Sequence, residues 1–240
     1  MKRCICFSMV LFLMLGVSSI ALAAGTAISR LPYTITKSGV YYLSRSLEEN
    51  KNDEGGITIE ADNVTIDLSG FSLIGLGTGT TLEPTYGIYM NGQSNVEIKN
   101  GIIRNFKSHA IYEANNVGNS HRIINVRVLN NGEKGIYLLG NNHFVKDCTV
   151  SSNGNHGLDI GTGSLVISNT SFNNGGSGFY ITTGCSVKDN TSSLNQQYGI
   201  FLGGNNLVDG NTAFLNNLSG GGFANMSSCP NCTFGDNQAP

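Results

Sequence analysis

Short segments in which apolar and polar residues alternate recur along the second half of the chain. Gly135 is followed by Ile136, Tyr137 and Leu138, so a strand here places Ile136 and Leu138 on one face and Tyr137 on the other. The same alternation returns with the apolar pairs Leu158/Ile160, Phe179/Ile181 and Ile200/Leu202. Clusters of Asn, Gly, Asp and Ser separate the segments and are typical of tight turns. The pattern predicts many short strands, each with one buried face, and no sustained helix.

These segments repeat at an interval of 21 residues, with one interval of 22 between Gly135 and Gly157, and equivalent positions keep the same residue type. A repeat of this length, with several short strands and tight turns, predicts a solenoid in which each repeat is one coil. The columns are Val145, Val166, Val187 and Val208; Thr149, Thr170, Thr191 and Thr212; Asn153, Asn174, Asn195 and Asn216, with Asn237 as their extension; Asn169, Asn190 and Asn211, with Cys148 one repeat earlier; and Gly135, Gly157, Gly178, Gly199 and Gly220.

Stacked coils of this kind predict an all-β fold, a single-stranded right-handed parallel β-helix of about eight coils. The coils stack at the strand spacing of about 4.8 Å, which places equivalent residues directly above one another. The valine columns are expected to fill the interior. The Asn side chains are expected to stack at turns, where Asn tolerates a left-handed backbone. We expect an N-terminal cap over residues 24–54 and the β-helix with its C-terminal closure over residues 55–240.

The columns resemble those of right-handed β-helix repeat proteins, including the NosD-like repeats of the pectin-lyase-like superfamily. The upstream segments 39–43, 57–59 and 63–71 are similar to the opening segment of many bacterial members. The resemblance covers about residues 30–237 and implies the β-helix fold. It does not select an activity, because this fold carries lyases, hydrolases, epimerases, binding modules and passive fibres.

The first 23 residues have the form of a secretory signal peptide. Lys2 and Arg3 precede an apolar stretch from residue 5 to residue 17, and Ala21-Leu22-Ala23 supplies a small-residue cleavage site. The alternative is an uncleaved membrane anchor. No later stretch is apolar enough to span a bilayer, so we expect a secreted, periplasmic or cell-surface protein without a stable membrane span after cleavage.

Charged residues make up 12% of the chain and the net charge is −2, which gives no indication of a nucleic-acid partner.

The outward position of the Gly-x-aromatic strand forms a column of five aromatic residues and one acid. Such rings could stack on sugar rings, which predicts a polysaccharide or cell-surface glycan as the partner. Two insertions, residues 75–86 and 115–121, flank this strand and could wall a groove. The alternative is a self-stacking ladder in a structural or adhesive solenoid without a ligand. The predicted binding residues are Tyr89, Tyr112, Tyr137, Tyr180 and Phe201, with Asp159 among them and Tyr198 in the preceding turn.

Lys134, His156 and Asp159 are the candidate catalytic residues. The segment from His156 to Gly161 looks like the Gly-His-Gly segment of polygalacturonase-type hydrolases, but Asn155 replaces the first glycine. Glu133-Lys134 stands where that family has a pair of aspartates, so hydrolysis by two placed carboxylates is not expected. A polysaccharide lyase or epimerase needs a base and a group that neutralises a uronate carboxylate, and Lys134, His156 and Tyr198 could supply them. The alternative is that these are solvated turn residues. We expect no metal and no cofactor.

The four cysteines beyond the signal peptide divide into two kinds. Cys229 and Cys232 form a Cys-x-x-Cys pair, for which a local disulfide is the natural state in an oxidising compartment. A zinc site would need two more ligands, and no second pair exists. Cys148 and Cys185 lie in different columns two coils apart, about 10 Å, which is too far for a disulfide. We expect both to be free thiols.

Overall fold

A computed structural model describes residues 25–50, 55–77 and 84–240 of the chain. The predicted signal peptide, residues 1–23, lies outside the described residues, as do residues 51–54 of the predicted cap. The described residues form β-strands, turns and bends and contain no helix. Accordingly, no helix capable of crossing a membrane occurs in this part of the chain.

The described strands form two parallel sheets, of which the smaller, sheet I, has eight strands. Sheet I contains the strands that carry the Gly-x-aromatic pattern, together with the equivalent strands of the first coils. In spatial order they are β2 (Tyr33–Ile35), β5 (Ile57–Ile59), β8 (Ile88–Asn91), β10 (Ile111–Ala114), β12 (Ile136–Asn141), β15 (Leu158–Thr162), β18 (Phe179–Ile181) and β21 (Ile200–Leu202).

Sheet II contains the other sixteen described strands and follows two faces of the solenoid. Its first face holds β1 (Thr26–Ile28), β3 (Gly39–Leu43), β6 (Val64–Asp67), β9 (Val96–Arg104), β11 (Arg122–Leu129), β13 (Phe144–Lys146), β16 (Leu165–Ile167), β19 (Ser186–Lys188), β22 (Leu207–Asp209) and β24 (Thr233–Phe234). Its second face holds β4 (Leu47–Glu48), β7 (Ser72–Ile74), β14 (Thr149–Ser151), β17 (Thr170–Phe172), β20 (Thr191–Ser193) and β23 (Thr212–Phe214).

The chain passes through these faces once per coil, which makes the protein a right-handed parallel β-helix, as predicted. The described residues give about nine coils, close to the expected number. The long strands β9 and β11 join the two faces of sheet II, because β9 pairs with β6 through its first half and with β7 through its second half. Strands β1 to β4 already pair in parallel with the following coil. Closure of the end by residues 24–54 stays a prediction.

The interior is a continuous stack of apolar side chains. Val145, Val166, Val187 and Val208 pair directly in register from β13 to β22, and each is fully buried. The apolar pairs of sheet I, such as Ile136 and Leu138, are buried on the same interior. Each fully buried aliphatic side chain contributes roughly 1.5–3 kcal/mol, so stability accumulates coil by coil.

Two ladders of buried Asn side chains support the turns. In the first, the side-chain amide of Asn174 donates to Oδ1 of Asn195 at 3.0 Å, and that of Asn195 donates to Oδ1 of Asn216 at 2.9 Å. The same Oδ1 atoms accept from the backbone N–H of the Asn one coil earlier. The second ladder connects Asn169, Asn190 and Asn211 in the same way, with the backbone N–H of Cys148 donating to Asn169.

The expected left-handed backbone occurs one residue before each ladder Asn. Ser168 and Asp189 precede two of them with φ of 57° and 54°, and Leu194 precedes Asn195 with φ of 56°. The prediction that the ladder Asn residues themselves are left-handed is therefore wrong. The preceding residue makes the turn, and this leaves the Asn side chain free to point inward and satisfy buried backbone N–H groups.

The last coil departs from the 21-residue interval. Thr212 bridges Gln238 and Leu207 pairs with Thr233, a separation of 26 residues in each case. The five additional residues displace two predicted column members. Asn237 extends the ladder of Asn211 rather than that of Asn216, as the 2.9 Å bond between Asn211 Nδ2 and Asn237 Oδ1 shows.

The end of the glycine column is displaced by the same insertion. Gly220 does not follow Gly199, because the backbone N–H of Gly199 donates to Ala224 in the next coil. Asn225 is the residue that completes the first ladder, accepting from Asn216 Nδ2 at 3.1 Å. The glycines within the column have a steric reason: a Cβ on Gly157 would lie 2.6 Å from the carbonyl oxygen of Gly178.

Candidate functional site

Two parallel columns of side chains cover the outer face of sheet I, and we call them together the ring stripe. Neighbouring members of the first column pair directly in the sheet, as the sequence predicted. Each member of the second column lies three residues earlier, in the turn that leads into the strand. The strand column is Tyr89, Tyr112, Tyr137, Asp159, Tyr180 and Phe201, and the turn column is Tyr86, His109, Lys134, His156, Ser177 and Tyr198.

The rings of the stripe stack on one another in two groups. In the first, the rings of Tyr112 and Tyr137 stack almost in parallel, with centroids 5.2 Å apart and an angle of 6° between their planes. In the second, Tyr180 and Phe201 stack at 4.5 Å, and His156 stacks on Tyr180 at 5.0 Å. Tyr198 contacts Phe201 with a centroid distance of 5.4 Å. Within each group, the ring faces are therefore occupied by neighbouring rings.

Each ring of the stripe nevertheless stays partly exposed. All of its Tyr, Phe and His residues are half-buried. Because their faces stack along the column, the groups they present to solvent are ring edges and polar tips. Tyr offers an apolar ring edge together with a hydroxyl that donates and accepts hydrogen bonds. The stripe is thus an amphipathic surface that runs along the axis of the solenoid.

A cleft of about 310 Å³ lies at the N-terminal end of the stripe. Tyr86, Tyr89 and Tyr112 line one side of it, and Thr58 and Pro84 contribute to the remainder. Tyr86 packs on Tyr89 at 5.4 Å and on Tyr112 at 5.0 Å. The insertion at residues 75–86 thus does contribute to a cleft wall, although its residues 78–83 lie outside the described part.

Lys134 and Asp159 separate the two ring groups. Lys134 Nζ lies 2.6 Å from Asp159 Oδ2 and 3.6 Å from the centroid of the Tyr137 ring, so the cation bridges a carboxylate and an aromatic face. Asp159 is 4% exposed, and its Oδ1 has no hydrogen-bond partner among the described residues. Burial raises the pKa of Asp159, and Lys134 acts in the opposite direction. The acid in the aromatic row therefore has a partner that its column position did not reveal.

Both histidines of the stripe are held neutral. Burial, and then the charge of Lys134, lower the pKa of His109 and of His156 to about 4. Nδ1 of His109 accepts the backbone N–H of Lys134 at 3.1 Å, and Nδ1 of His156 accepts that of Ser177 at 2.9 Å. The proton of each neutral imidazole is therefore on Nε2, and each ring acts outward as a hydrogen-bond donor.

The structure thus brings all the predicted site residues onto one face and adds Tyr86 to them. Tyr86 was not among the predicted residues because it ends the insertion at residues 75–86, where the regular interval is lost. The signal that could have indicated it is its position directly before a glycine and a strand with the apolar-aromatic pattern. At the C-terminal end, Phe223 packs edge-on against Tyr198 at 5.0 Å. The displaced last coil concealed this contact.

The described cysteines form one disulfide and two buried thiols, and no cluster of metal-binding side chains occurs among the described residues. Cys229 and Cys232 form a disulfide, whereas Cys148 and Cys185 are free and buried. Among the described residues, no group of three or more His, Cys, Asp or Glu side chains is arranged to hold a metal ion.

With this architecture in place, comparison with known families is decisive for the fold. A family described as the right handed beta helix region matches residues 86–239, well over half of the chain. The protein therefore belongs to the right-handed β-helix family. No curated protein sequence matches the chain significantly.

Solved structures with the same fold include two epimerases and a tailspike protein. The A-module of the mannuronan C-5 epimerase AlgE6 from Azotobacter vinelandii is similar with 13% identity and a TM-score of 0.58, over 88% of this chain and 72% of that one. The Dettilon tailspike protein is similar with 15% identity and a TM-score of 0.53, over 89% of this chain and 58% of that one. A double mutant of the periplasmic alginate epimerase AlgG is similar with 17% identity and a TM-score of 0.51, over 85% of this chain and 60% of that one. At these identities the likeness shows the fold alone, and the chain spans less than two thirds of the last two structures.

Proposed function

We propose that this protein binds an extended polysaccharide along the ring stripe of sheet I. The observation that carries the proposal is the cleft lined by Tyr86, Tyr89 and Tyr112, which opens onto that stripe. A cleft at one end of a long amphipathic surface suits a polymer better than a compact ligand, because successive units can contact successive coils. The coils repeat about every 4.8 Å along this direction.

The chemistry of the stripe fits sugar hydroxyl groups. Tyr hydroxyls donate and accept hydrogen bonds, and the Nε2–H groups of His109 and His156 donate them. The ring edges supply apolar contact for the C–H groups of a saccharide. The names of the similar structures agree with this ligand class, since AlgE6 is called a mannuronan epimerase and AlgG an alginate epimerase.

Binding is better supported than turnover. A lyase or epimerase needs a base that is free to take a proton from the sugar. Lys134 Nζ is held by Asp159, and the unprotonated nitrogen of His156 already accepts a backbone hydrogen bond. A catalytic role for Lys134, His156 and Asp159 is kept as a prediction. Incubating the secreted protein with each bound polymer tests it, because a lyase creates unsaturated ends that absorb in the ultraviolet and an epimerase changes the sugar configuration seen by NMR.

The test of binding is a glycan array followed by isothermal titration with the best polymer. Tyr112→Ala removes a ring that contacts the cleft and both neighbouring tyrosines, and we expect about tenfold weaker binding, equivalent to about 1.4 kcal/mol. Phe172→Ala is the matched control, because Phe172 is an exposed aromatic residue on the other sheet. Unfolding curves must show that both variants fold. Equal affinity of wild type and Tyr112→Ala for the polymer contradicts the proposal.

A structural or adhesive solenoid is the second candidate. The observation in its favour is that the ring faces stack on each other, as in the pair Tyr112–Tyr137, and so stabilise neighbouring coils. On this hypothesis the array shows no polysaccharide binding, and Tyr112→Ala only lowers the free energy of unfolding.

A further inference from the structure

We propose that the polysaccharide recognised by the ring stripe is electrically neutral, rather than a polyuronate. This inference rests on the proposed function and names the ligand class of that same site. It departs from what the likeness to alginate epimerases suggests, and it follows from how the charges of the stripe are paired.

The stripe contains a single pair of opposite charges. Among its twelve residues, all of which are described, only Lys134 and Asp159 carry charged side chains, and their ion pair is 2.6 Å long. The two side chains are only 16% and 5% exposed. Lys134 also lies over the Tyr137 ring, 3.6 Å from its centroid. The Lys134 cation, the one cation of the stripe, is thus paired within the protein and is not presented to a ligand.

The remaining groups of the surface are uncharged. His109 and His156 accept backbone hydrogen bonds through Nδ1, which fixes both as neutral Nε2–H donors. The other members are Tyr, Phe and Ser, and the cleft adds Thr58 and Thr85. On the adjoining turns, Lys107 and Glu133 carry opposite charges. The face therefore has hydrogen-bonding groups along its length and no net charge.

A polyuronate would place one carboxylate on every sugar unit against this surface. A carboxylate that loses hydration without gaining a counter-charge is strongly disfavoured. A hydroxymethyl group at the same position of the sugar loses much less and can bond to Tyr or His. Rejection of the charged polymer thus comes from the missing cation, which is a specificity device that needs no additional contact.

The experiment uses matched polymers that differ only in charge. Each polyuronate on the array, mannuronan among them, is compared with its carboxyl-reduced form, in which every carboxylate becomes a hydroxymethyl group. Neutral glycans complete the array. We expect the neutral form to bind at least about tenfold more tightly than the polyuronate. Between low salt and about 0.5 M salt, its affinity should change less than about twofold, because no ligand charge is screened.

Asp159→Asn provides a gain-of-binding test. This change leaves the Lys134 cation without its carboxylate, so the variant should gain salt-sensitive affinity for the polyuronate, on the order of severalfold. Lys134→Gln, which removes the cation instead, should show no gain. If Asp159→Asn does not fold, the salt dependence of wild type still decides the question.

Three outcomes are distinguishable. Preference for the neutral polymer supports the inference. Tighter, salt-dependent binding of the polyuronate by wild type overturns the inference and leaves the proposed polysaccharide binding intact. Binding of neither class overturns both.

Discussion

The imidazole rings of His121 and His143 stack in parallel inside the solenoid, with centroids 5.1 Å and planes 5° apart. Both side chains are fully buried. Nδ1 of His121 accepts the backbone N–H of Val96, and Nδ1 of His143 accepts that of His121, each at 3.3 Å. These histidines do for one turn what Asn does in the two ladders: they accept the backbone N–H group of the preceding coil.

A buried carboxylate adjoins this pair. Glu113 is fully buried, and its two oxygens accept the backbone N–H groups of Gly118 and Gly140 at 2.5 and 3.1 Å. The Nε2 atoms of His121 and His143 have no hydrogen-bond partner among the described residues, and that of His143 lies 3.6 Å from Glu113 Oε2. Glu113 thus anchors the loop that follows the Tyr112 strand.

The buried histidine pair predicts acid sensitivity. Burial lowers the pKa of His121 to about 4 and that of His143 to about 3, below the ordinary value of 6.5. Between pH 6.5 and 4 the unfolded chain therefore binds protons that the folded protein refuses, so stability falls as the pH falls. Each histidine contributes up to about 1.4 kcal/mol per pH unit. Burial raises the pKa of Glu113, which opposes this trend only in part.

The measurement is the free energy of unfolding in urea at pH values from 7.5 to 5. The double variant His121→Asn/His143→Asn is the control, because an Asn Oδ1 can accept the same backbone N–H without titrating. Asn206 already does so for Cys185 at 2.7 Å. In the double variant, the free energy of unfolding should change with pH less steeply than in wild type, by about 2 to 3 kcal/mol per pH unit. An unchanged slope would show that these histidines titrate normally.

The Asn ladder predicts a strong position dependence of stability. Asn195→Ala removes the acceptor of the Asn174 backbone and side-chain N–H groups in the middle of the stack. Because each buried unsatisfied donor costs about 1–3 kcal/mol, we expect a loss of about 2–4 kcal/mol. Asn237→Ala, at the partly exposed end of the other ladder, should cost about 1 kcal/mol. Chemical denaturation compares the two, and equal costs would contradict the stacked arrangement.

The sequence could predict the β-helix because a buried interior imposes its interval on the chain. Val145 and Val166 must occupy equivalent inward positions, and a one-residue slip within either strand would turn its valine outward. The same logic failed at Asn237 and Gly220, because the last coil absorbs five additional residues in an outward loop. Such an insertion leaves the interior unchanged, so the valine pattern carries no signal of it.

The site was predictable as a surface but not as a set of contacts. The column rule places Tyr137, Asp159 and Tyr180 in a row, and the structure agrees. It does not say whether rings present faces or edges, since side-chain rotation about the strand decides that. Nor does it show that the turn residue Lys134 reaches Asp159 in the next coil. Contacts between different columns depend on side-chain length, which a residue pattern does not encode.

The free cysteines predict a selective labelling pattern. Burial raises the pKa of Cys148 to about 12 and also raises the pKa of Cys185. In the folded protein at pH 8 neither thiol should react with iodoacetamide, because the reactive thiolate is scarce and the sulfur is inaccessible. Unfolding without reductant should expose Cys148 and Cys185 but not the disulfide-bonded Cys229 and Cys232. Peptide mapping by mass spectrometry reads all four positions, and native labelling of Cys148 would contradict its burial.

The Lys134–Asp159 pair offers the sharpest test of how the ring stripe is built. In the coils on either side, a turn residue meets a ring of the next coil: His109 contacts Tyr137, and His156 stacks on Tyr180. Only between these coils does an ion pair replace the contact of two rings. The carboxylate of Asp159 is therefore buried, and Lys134 is the partner that stabilises its charged form.

Lys134→Met should therefore destabilise the protein by about 3–5 kcal/mol, because it leaves Asp159 buried and uncompensated. Adding Asp159→Tyr to Lys134→His should recover most of the stability, since this double variant restores the histidine–tyrosine contact of the neighbouring coils. Urea unfolding of Lys134→His, Asp159→Tyr and the double variant completes a thermodynamic cycle, with an expected coupling of about 1–3 kcal/mol. If the two single costs simply add, the residues do not interact, and the pair does not determine the charge of the stripe.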